Sequence, residues 1–450
     1  MTASMMGMQR YQAHAWKGRD MARWKNWAGN QVANPISIQA PHSIEDLSRL
    51  VAEAASRGEK VKAVGSGHSF TSAAATDGRM LRLDKLTGIS HVDRGNNRVT
   101  VRAGTRLSDL NSLLHAEGLA MANLGDIAYQ TVAGAISTST HGTGKALTGL
   151  AGQVTAMTLV AGDGRIVECS STVNADVFDV GRVSVGALGV IAEYTLQVVP
   201  AFRLHAMEQP MRLDDVLENI HELAAEHDHF EFFWIPHTKW ALTKRNNRTN
   251  DDLAPLPIVK GWVEKTFMEN YAFGALCRLG RMRPSLIPRL ATALPSSGSR
   301  EYIDQSYKIF ASPRIVRFYE MEHALPVEHV APALRDIRSM IERKGYLLNF
   351  PVEVRFTKGD DVALSTAYGR DSAYIAVHVY KGMEYQPFFR DVEDILRGYN
   401  ARPHWGKLHY REAQELSTLY PRWNDFIALR DKLDPQRTFA NAYTDSVFGK

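Results

Sequence analysis

Three sets of residues in this 450-residue chain have types and spacing suited to chemistry. In KAVGSGHSFT (62–71), Gly65, Ser66 and Gly67 run straight into His68 and Ser69. Successive small residues let backbone N–H groups approach an anion closely, because no side chain stands between them. The second set, TVAGAISTSTHGTG (131–144), is nearly free of bulk and offers hydroxyls at Thr131, Ser137, Thr138, Ser139, Thr140 and Thr143. A diphosphate laid along it would collect neutral donors without a lysine. Either stretch alone reads equally as a tight turn; together they point to a bound dinucleotide. The third set is FPVEVRF (350–356). On a strand, Glu353 and Arg355 share one face while Val352, Val354 and Phe356 share the other. From the residues alone, a buried structural ion pair is the first reading of that Glu-x-Arg.

The common nucleotide motifs are excluded by single residues. A Rossmann fingerprint needs a third glycine, but Phe70 stands there after Gly65-x-Gly67 and Leu147 after Gly142-x-Gly144. A P-loop fails because Gly144-Lys145 is followed by Ala146, and Ser139 occupies the first glycine's place. His227, His229, His237 and Glu231 have no metal-site spacing, so no metal is expected.

The elements that must position these residues can be read from periodicity. Ser43 caps a helix carrying Ile44, Leu47, Leu50, Val51 and Ala54, with Asp46 at its third position and Gly58 as its stop. A strand, KVKAV, then feeds the glycine loop. A second such unit joins the strand RVTVRAG (98–104) to a helix bearing Leu107, Leu110, Leu113 and Leu114, closed by Gly118. VTAMTLVAGDGRIVEC reads as a hairpin about Gly162-Asp163-Gly164, and GALGVIAEYTLQVVP (186–200) as further β structure. Beyond about residue 205, the strands HFEFFWI, RIVRFYEME, FPVEVRF and AYIAVHVY alternate with amphipathic helices. One helix is predicted over 213–227, burying Leu213, Val216, Leu217, Ile220 and Leu223. That pattern implies an antiparallel sheet with helices on one side. Proline-rich 246–300 reads as irregular.

The totals set limits. Fifty-three Lys and Arg against 49 acids leave +4, too little over this length for a nucleic-acid footprint. Two cysteines, Cys169 and Cys277, build no disulfide framework and suggest a reducing compartment. The opening MTASMMGMQRYQAHAWKGRD has no apolar signal core, and no run approaches the roughly 18 apolar residues of a membrane span. A cytoplasmic location is expected.

VGSGHSFT, NLGDIAYQTVAGAISTSTHGTG, GALGVIAEYTLQVVP, RPHWGKLH and LDPQRTFANAY follow one another from about residue 25 to the C-terminus. In that order they resemble the aldonolactone oxidases and dehydrogenases of the vanillyl-alcohol-oxidase flavoprotein superfamily. The resemblance implies an α+β, two-domain fold. An FAD-binding domain would span 1–203 and an antiparallel-sheet cap 204–398, with 399–450 completing the flavin site. It implies FAD held by Ala63, Val64, Gly65, Ser66, Gly67, His68, Ser69, Gly125, Asp126, Thr131, Gly134, Thr138, Ser139, Thr140, His141, Ile191 and His404. His68 would bond covalently to the ring's 8α-methyl.

Glu353, Arg355 and Lys407 would then be catalytic, with His378 and Tyr380 lining the substrate cavity. Arg355 would polarise substrate oxygens and stabilise the reduced ring; Glu353 would bind substrate hydroxyls and orient that arginine. A lysine desolvated beside an arginine should have a lowered pKa, so Lys407 could accept the hydroxyl proton or hydrogen-bond it as hydride leaves. The implied substrate is an aldono-1,4-lactone, foremost L-gulono-1,4-lactone, oxidised beside its carbonyl to a keto-lactone that tautomerises to ascorbate. An open-chain alditol is the alternative. Gly125 stands where plant galactonolactone dehydrogenases carry an alanine that blocks oxygen, so O2 is the expected acceptor, with a dye or cytochrome as the alternative.

Overall fold

The computed structural model describes residues 23–293, 297–312 and 314–450 and, of Lys265, only the backbone. The opening stretch read for a signal lies outside the described residues. Near the start, Ser43 Oγ accepts the Asp46 amide N–H at 3.1 Å and caps the helix Ile44–Ser56. Its face Leu47, Leu50, Val51 and Ala54 is buried against the first sheets. A parallel sheet runs Ser37–Gln39, Arg79–Arg82, Val61–Val64. A five-stranded antiparallel sheet runs Ile166–Ser170, Val154–Val160, Val190–Gln197, Arg98–Arg102, Ile89–Asp93. The core under them also takes in Trp405, Tyr420, Trp423, Phe426 and Phe448, so the chain's last fifty residues pack with its first two hundred.

The eight-stranded antiparallel sheet decides the chemistry. Its order is Arg300–Gln305, Arg203–Arg212, Trp240–Thr249, His229–Trp234, Val352–Thr357, Ser372–Tyr380, Phe318–Pro326, Arg402–Pro403. Alternation sorts its side chains by face. Phe230, Phe232, Trp234, Met321, Val352, Val354, Phe356, Ile375 and Val377 join the core beneath the helices Val330–Lys344 and Gln386–Arg397. The opposite face carries Glu231, Glu320, Glu322, Glu353, Arg355, Tyr374 and His378, all buried.

Two expectations are corrected. Residues 213–227 form two helices, Leu213–Glu218 and Ile220–Glu226. Asn219 breaks them: its side-chain amide donates to the Asp215 carbonyl at 2.8 Å, competing with the helix ladder. The five apolar positions named there are nonetheless buried. The segment expected to be irregular is largely helical, with Ile258–Gly261, a π-helical Trp262–Ala272, Phe273–Met282 and Ile287–Thr292. Pro284 and Pro288 fall in first turns, where a missing N–H costs nothing.

Candidate active site

The two small-residue stretches meet in one crevice of about 930 Å3, open mouth included. Ala63 to Ser69 line one part; Thr131, Gly134 and Thr138 line another; Ile191 closes a third side. The fit is tight where backbone must come close. A Cβ on Gly65 would collide with Thr131 Oγ1, and one on Gly134 would stand 3.0 Å from the same oxygen. Gly67 adopts φ +69°, a left-handed turn that suits glycine. The chemistry of this cradle (bare backbone, neutral hydroxyls, no lysine) fits a dinucleotide's diphosphate.

The wall also contains residues that the sequence did not single out. Trp24, Gln130 and the Ser184–Gly186 turn line it too. Val185 is β-branched yet left-handed at φ +49°, a backbone shape costing on the order of 1–3 kcal/mol. Such strain leaves no signal in a sequence pattern.

His68 lines the crevice and stacks on Trp27, ring centroids 5.3 Å apart. Burial, with Lys407 and Arg106 adding to it, lowers its pKa to about 4, so the imidazole is neutral. Just beyond, the Phe70 amide N–H donates to the Gly406 carbonyl at 2.7 Å, and Thr71 Oγ1 donates to the Trp405 carbonyl at 3.3 Å. The GSGHS and HWGK loops, far apart in sequence, are therefore joined by hydrogen bonds.

Gly125, Asp126, Ser139, Thr140, His141 and His404 do not line the crevice; several reach toward the charged face of the sheet. The Asp126 carboxylate accepts from Arg314 at 2.8 Å and lies 3.4 Å from Arg355 Nη2. Burial opposes its charge, but Arg355 and Arg314 outweigh that and hold it well below the usual carboxylate range. Ser139 Oγ accepts the Thr366 amide N–H at 3.3 Å, and Thr140 Oγ1 is buried without a hydrogen-bond partner. His141 stacks on Tyr374 at 3.5 Å and its Nε2 lies 3.2 Å from Glu322 Oε1. His404 Nδ1 accepts the Gly406 N–H at 3.0 Å, and burial drops its pKa to about 3. His141, Glu322 and His404 form the one group of three or more His, Cys, Asp or Glu among the described residues whose potential metal-ligand atoms lie within 4.8 Å of one another. The set considered for metal from sequence disperses: His229 binds the Thr143 carbonyl, His237 accepts from Leu348 and Glu231 pairs with Arg355.

Arg355 stands at the centre of the charged face. Its Nε donates to Glu231 at 2.8 Å, and its Nη2 pairs with Glu353. Burial disfavours its charge, yet Glu353, Asp126 and Glu231 raise its pKa well above the ordinary guanidinium value. Burial pushes Glu353 up to about 7; Arg355 opposes this, while Asp126 and Glu231 reinforce it. The lowered pKa expected of Lys407 is corrected: its Nζ is desolvated, but it pairs with Glu320 and sits 5.3 Å over the Phe70 ring. Burial works against the ammonium, but Glu320 and Glu322 prevail and raise its pKa. Glu320 also lies 3.6 Å from His378 Nε2, whose Nδ1 donates to the Pro351 carbonyl at 2.9 Å. Burial works to lower the His378 pKa, but Glu320 outweighs it, for a net rise. Tyr380 stacks with Phe350 at 6.4 Å, under the Arg281 guanidinium.

Glu231, Glu320 and Glu322 thus belong to the site, and sequence reasoning did not assign them to it. The signal was present in FEF and YEME, where a carboxylate alternates with apolar residues on a strand.

A side-chain-poor crevice that fits a diphosphate, with a cluster of buried ionisable groups on the neighbouring sheet, is the frame of an FAD-binding oxidoreductase, and comparison with known proteins places the chain in that class. An FAD binding domain model matches residues 35–170, and the D-arabinono-1,4-lactone oxidase model matches residues 194–447. The chain belongs to this D-arabinono-1,4-lactone oxidase family of FAD-dependent aldonolactone oxidoreductases. It is 43% identical to an L-gulono-1,4-lactone dehydrogenase of Mycobacterium tuberculosis, over 95% of this chain and 99% of that one. It is 35% identical to the L-gulonolactone oxidase of Bos taurus, over 97% and 99%. In fold it is similar to cholesterol oxidase from B. sterolicum, with a TM-score of 0.81 at 18% identity, covering 94% of this chain and 96% of that one.

Proposed function

We propose that this protein oxidises an aldono-1,4-lactone, foremost L-gulono-1,4-lactone, at the carbinol carbon beside the carbonyl. The observation that carries this reading is the Glu353–Arg355 face set against the joined GSGHS and HWGK loops. Bound FAD would supply a two-electron acceptor. Ala63 to Ser69 and Thr131 to Thr138 hold its diphosphate with backbone and hydroxyl donors. Residues 1–203 and 399–450 form the flavin-binding part and 204–398 the cap.

The chain's own groups divide the remaining work. Arg355, permanently charged, would bind substrate oxygens and place fixed positive charge beside the flavin. Lys407, held as an ammonium by Glu320, donates a hydrogen bond to the reacting oxygen; it does not take the proton. Glu353 receives that proton, since a carboxylate titrating near neutrality suits a general base. His378 and Tyr380 bound the substrate. His68, neutral and in the crevice, is the point of covalent FAD attachment. Such an attachment is a net two-electron oxidation, so it would need the acceptor of lactone turnover, O2 or a dye, as its oxidant.

Oxygen as acceptor is supported by Gly125, where an added Cβ would stand 3.1 Å from the His141 carbonyl oxygen and narrow the approach. A non-oxygen acceptor is supported by the name dehydrogenase carried by the mycobacterial relative. Buried, separate thiols at Cys169 and Cys277 suit a reducing cytoplasm. A steady-state screen of L-gulono-, L-galactono- and D-arabinono-1,4-lactone against xylitol, with O2 or cytochrome c, tests the proposal. Lactone turnover with peroxide release is expected. Turnover of xylitol alone would assign the enzyme to open-chain alditols, and turnover only with cytochrome c would overturn the oxygen reading.

A further inference from the structure

The described surface concentrates its large exposed apolar side chains in one place. Ten of the eighteen among the described residues fall within 253–282. Ile258 is 91% exposed and Val259 75%, on the short helix Ile258–Gly261. The π-helix that follows places Trp262, Phe267 and Tyr271 along one stripe, because spacings of five and four residues bracket its repeat. Their rings form an exposed ladder, with centroids 6.1 and 6.5 Å apart.

The opposite face of the same segment is anchored. Asn270 Oδ1 accepts the Ile315 N–H at 2.8 Å, Glu269 pairs with Arg300 at 3.0 Å and Phe273 packs on Phe350 at 4.9 Å. The ladder is therefore held outward by the fold.

Charge accompanies the apolar stripe. Residues 258–292 hold six Lys and Arg against two Glu, a net charge of +4 that equals the whole chain's. Both glutamates, Glu264 and Glu269, face Arg300. Arg278, Arg283 and Arg289 are exposed with no acidic partner among the described residues.

We propose that segment 258–292 is a docking surface for an anionic phospholipid membrane, on which the chain lies without crossing. Tryptophan and tyrosine suit the headgroup level, apolar side chains the acyl boundary, and unpaired arginines the lipid phosphates. A self-associating face would bring the same unpaired arginines together, whereas an acidic lipid surface neutralises them. No described helix is long and apolar enough to span a bilayer, so the attachment is peripheral. The inference is independent of which lactone is oxidised.

Co-sedimentation of the FAD-loaded full-length protein with vesicles tests it, comparing pure phosphatidylcholine with a mixture containing phosphatidylglycerol. The bound fraction is expected to be about ten-fold higher on the anionic vesicles and to fall as salt rises. The double variant Trp262→Ser with Phe267→Ser should lose that binding while keeping lactone turnover in solution. Ile166→Ser, exposed elsewhere, should bind like the parent. Failure of the parent to bind either vesicle would overturn the proposal. So would a parent dimer that the double variant returns to monomer while vesicle binding is absent, since a second copy would then be the occupant.

Discussion

At the scale of single residues, Glu353 sits between opposing forces: burial and two neighbouring carboxylates favour its neutral form, while Arg355 favours its charge. A base must lose its proton before it can take another, so kcat/KM should rise with pH through about 7. Glu353→Gln should lower kcat/KM by roughly 10²–10⁴ and abolish that limb. A pH–rate profile of both proteins checks this, and an unchanged limb in the variant would assign the titration elsewhere. Lys407 predicts a different signature. Because Glu320 keeps it protonated, it acts as a donor, and Lys407→Met should cost roughly 10²–10³ in kcat without moving the limb. A variant whose limb shifts with the loss of rate would restore the lysine as base.

At the scale of elements, a strand, a glycine turn and a capped helix shape the cradle. Thr131 caps the helix Val132–Ser137 by accepting the Gly134 N–H at 3.3 Å, and the same oxygen fills the space above Gly65. Gly65→Ala should therefore lower flavin occupancy, read as the ratio of visible to ultraviolet absorbance of the purified protein. Adding Thr131→Ala should recover most of it, less about 1 kcal/mol of cap stability. No recovery would mean that Gly65 serves the turn and not the clearance. The elements were legible where local pattern and tertiary context agree. Ser43 with Asp46, the Leu107 helix and the alternation in FPVEVRF all read correctly because one periodicity decides each. Asn219 was missed because its side chain breaks a helix whose apolar period runs on undisturbed. The helices of 258–292 were missed because their outward face is apolar and the amphipathic signal is therefore blurred. At the site, the motif residues were legible, but the partners of Arg355 and Lys407 come from strands over a hundred or some ninety residues earlier, and no spacing announces them.

At the scale of the whole molecule, several ion pairs tie the cluster around the charged face of the sheet to residues near 126–141 and to Lys407. Arg355 and Arg314 meet Asp126, Lys407 meets Glu320, and His141 meets Glu322. Asp126, Glu320 and Glu322 have folded pKa values below their ordinary ones, despite burial. A depressed carboxylate stabilises the fold fully above its unfolded pKa, near 4, and loses that contribution as pH falls through the folded value. His378 runs the other way: its raised pKa stabilises fully below about 6.5 and fades above the folded value. The fold should therefore be most stable between these limits and weaken below pH about 4. Asp126 is the sharpest test, because its removal leaves Arg314 without an ion-pair partner among the described residues, beside Arg355. Asp126→Asn should cost about 3 kcal/mol at neutral pH by leaving buried charge uncompensated. It should also flatten the acid limb, since an amide has no proton to take up. Urea midpoints at pH 7 and pH 3.5 measure both effects, and the gap between parent and variant should shrink at the lower pH. A gap that stays constant would show that Asp126 acts through shape and not through charge.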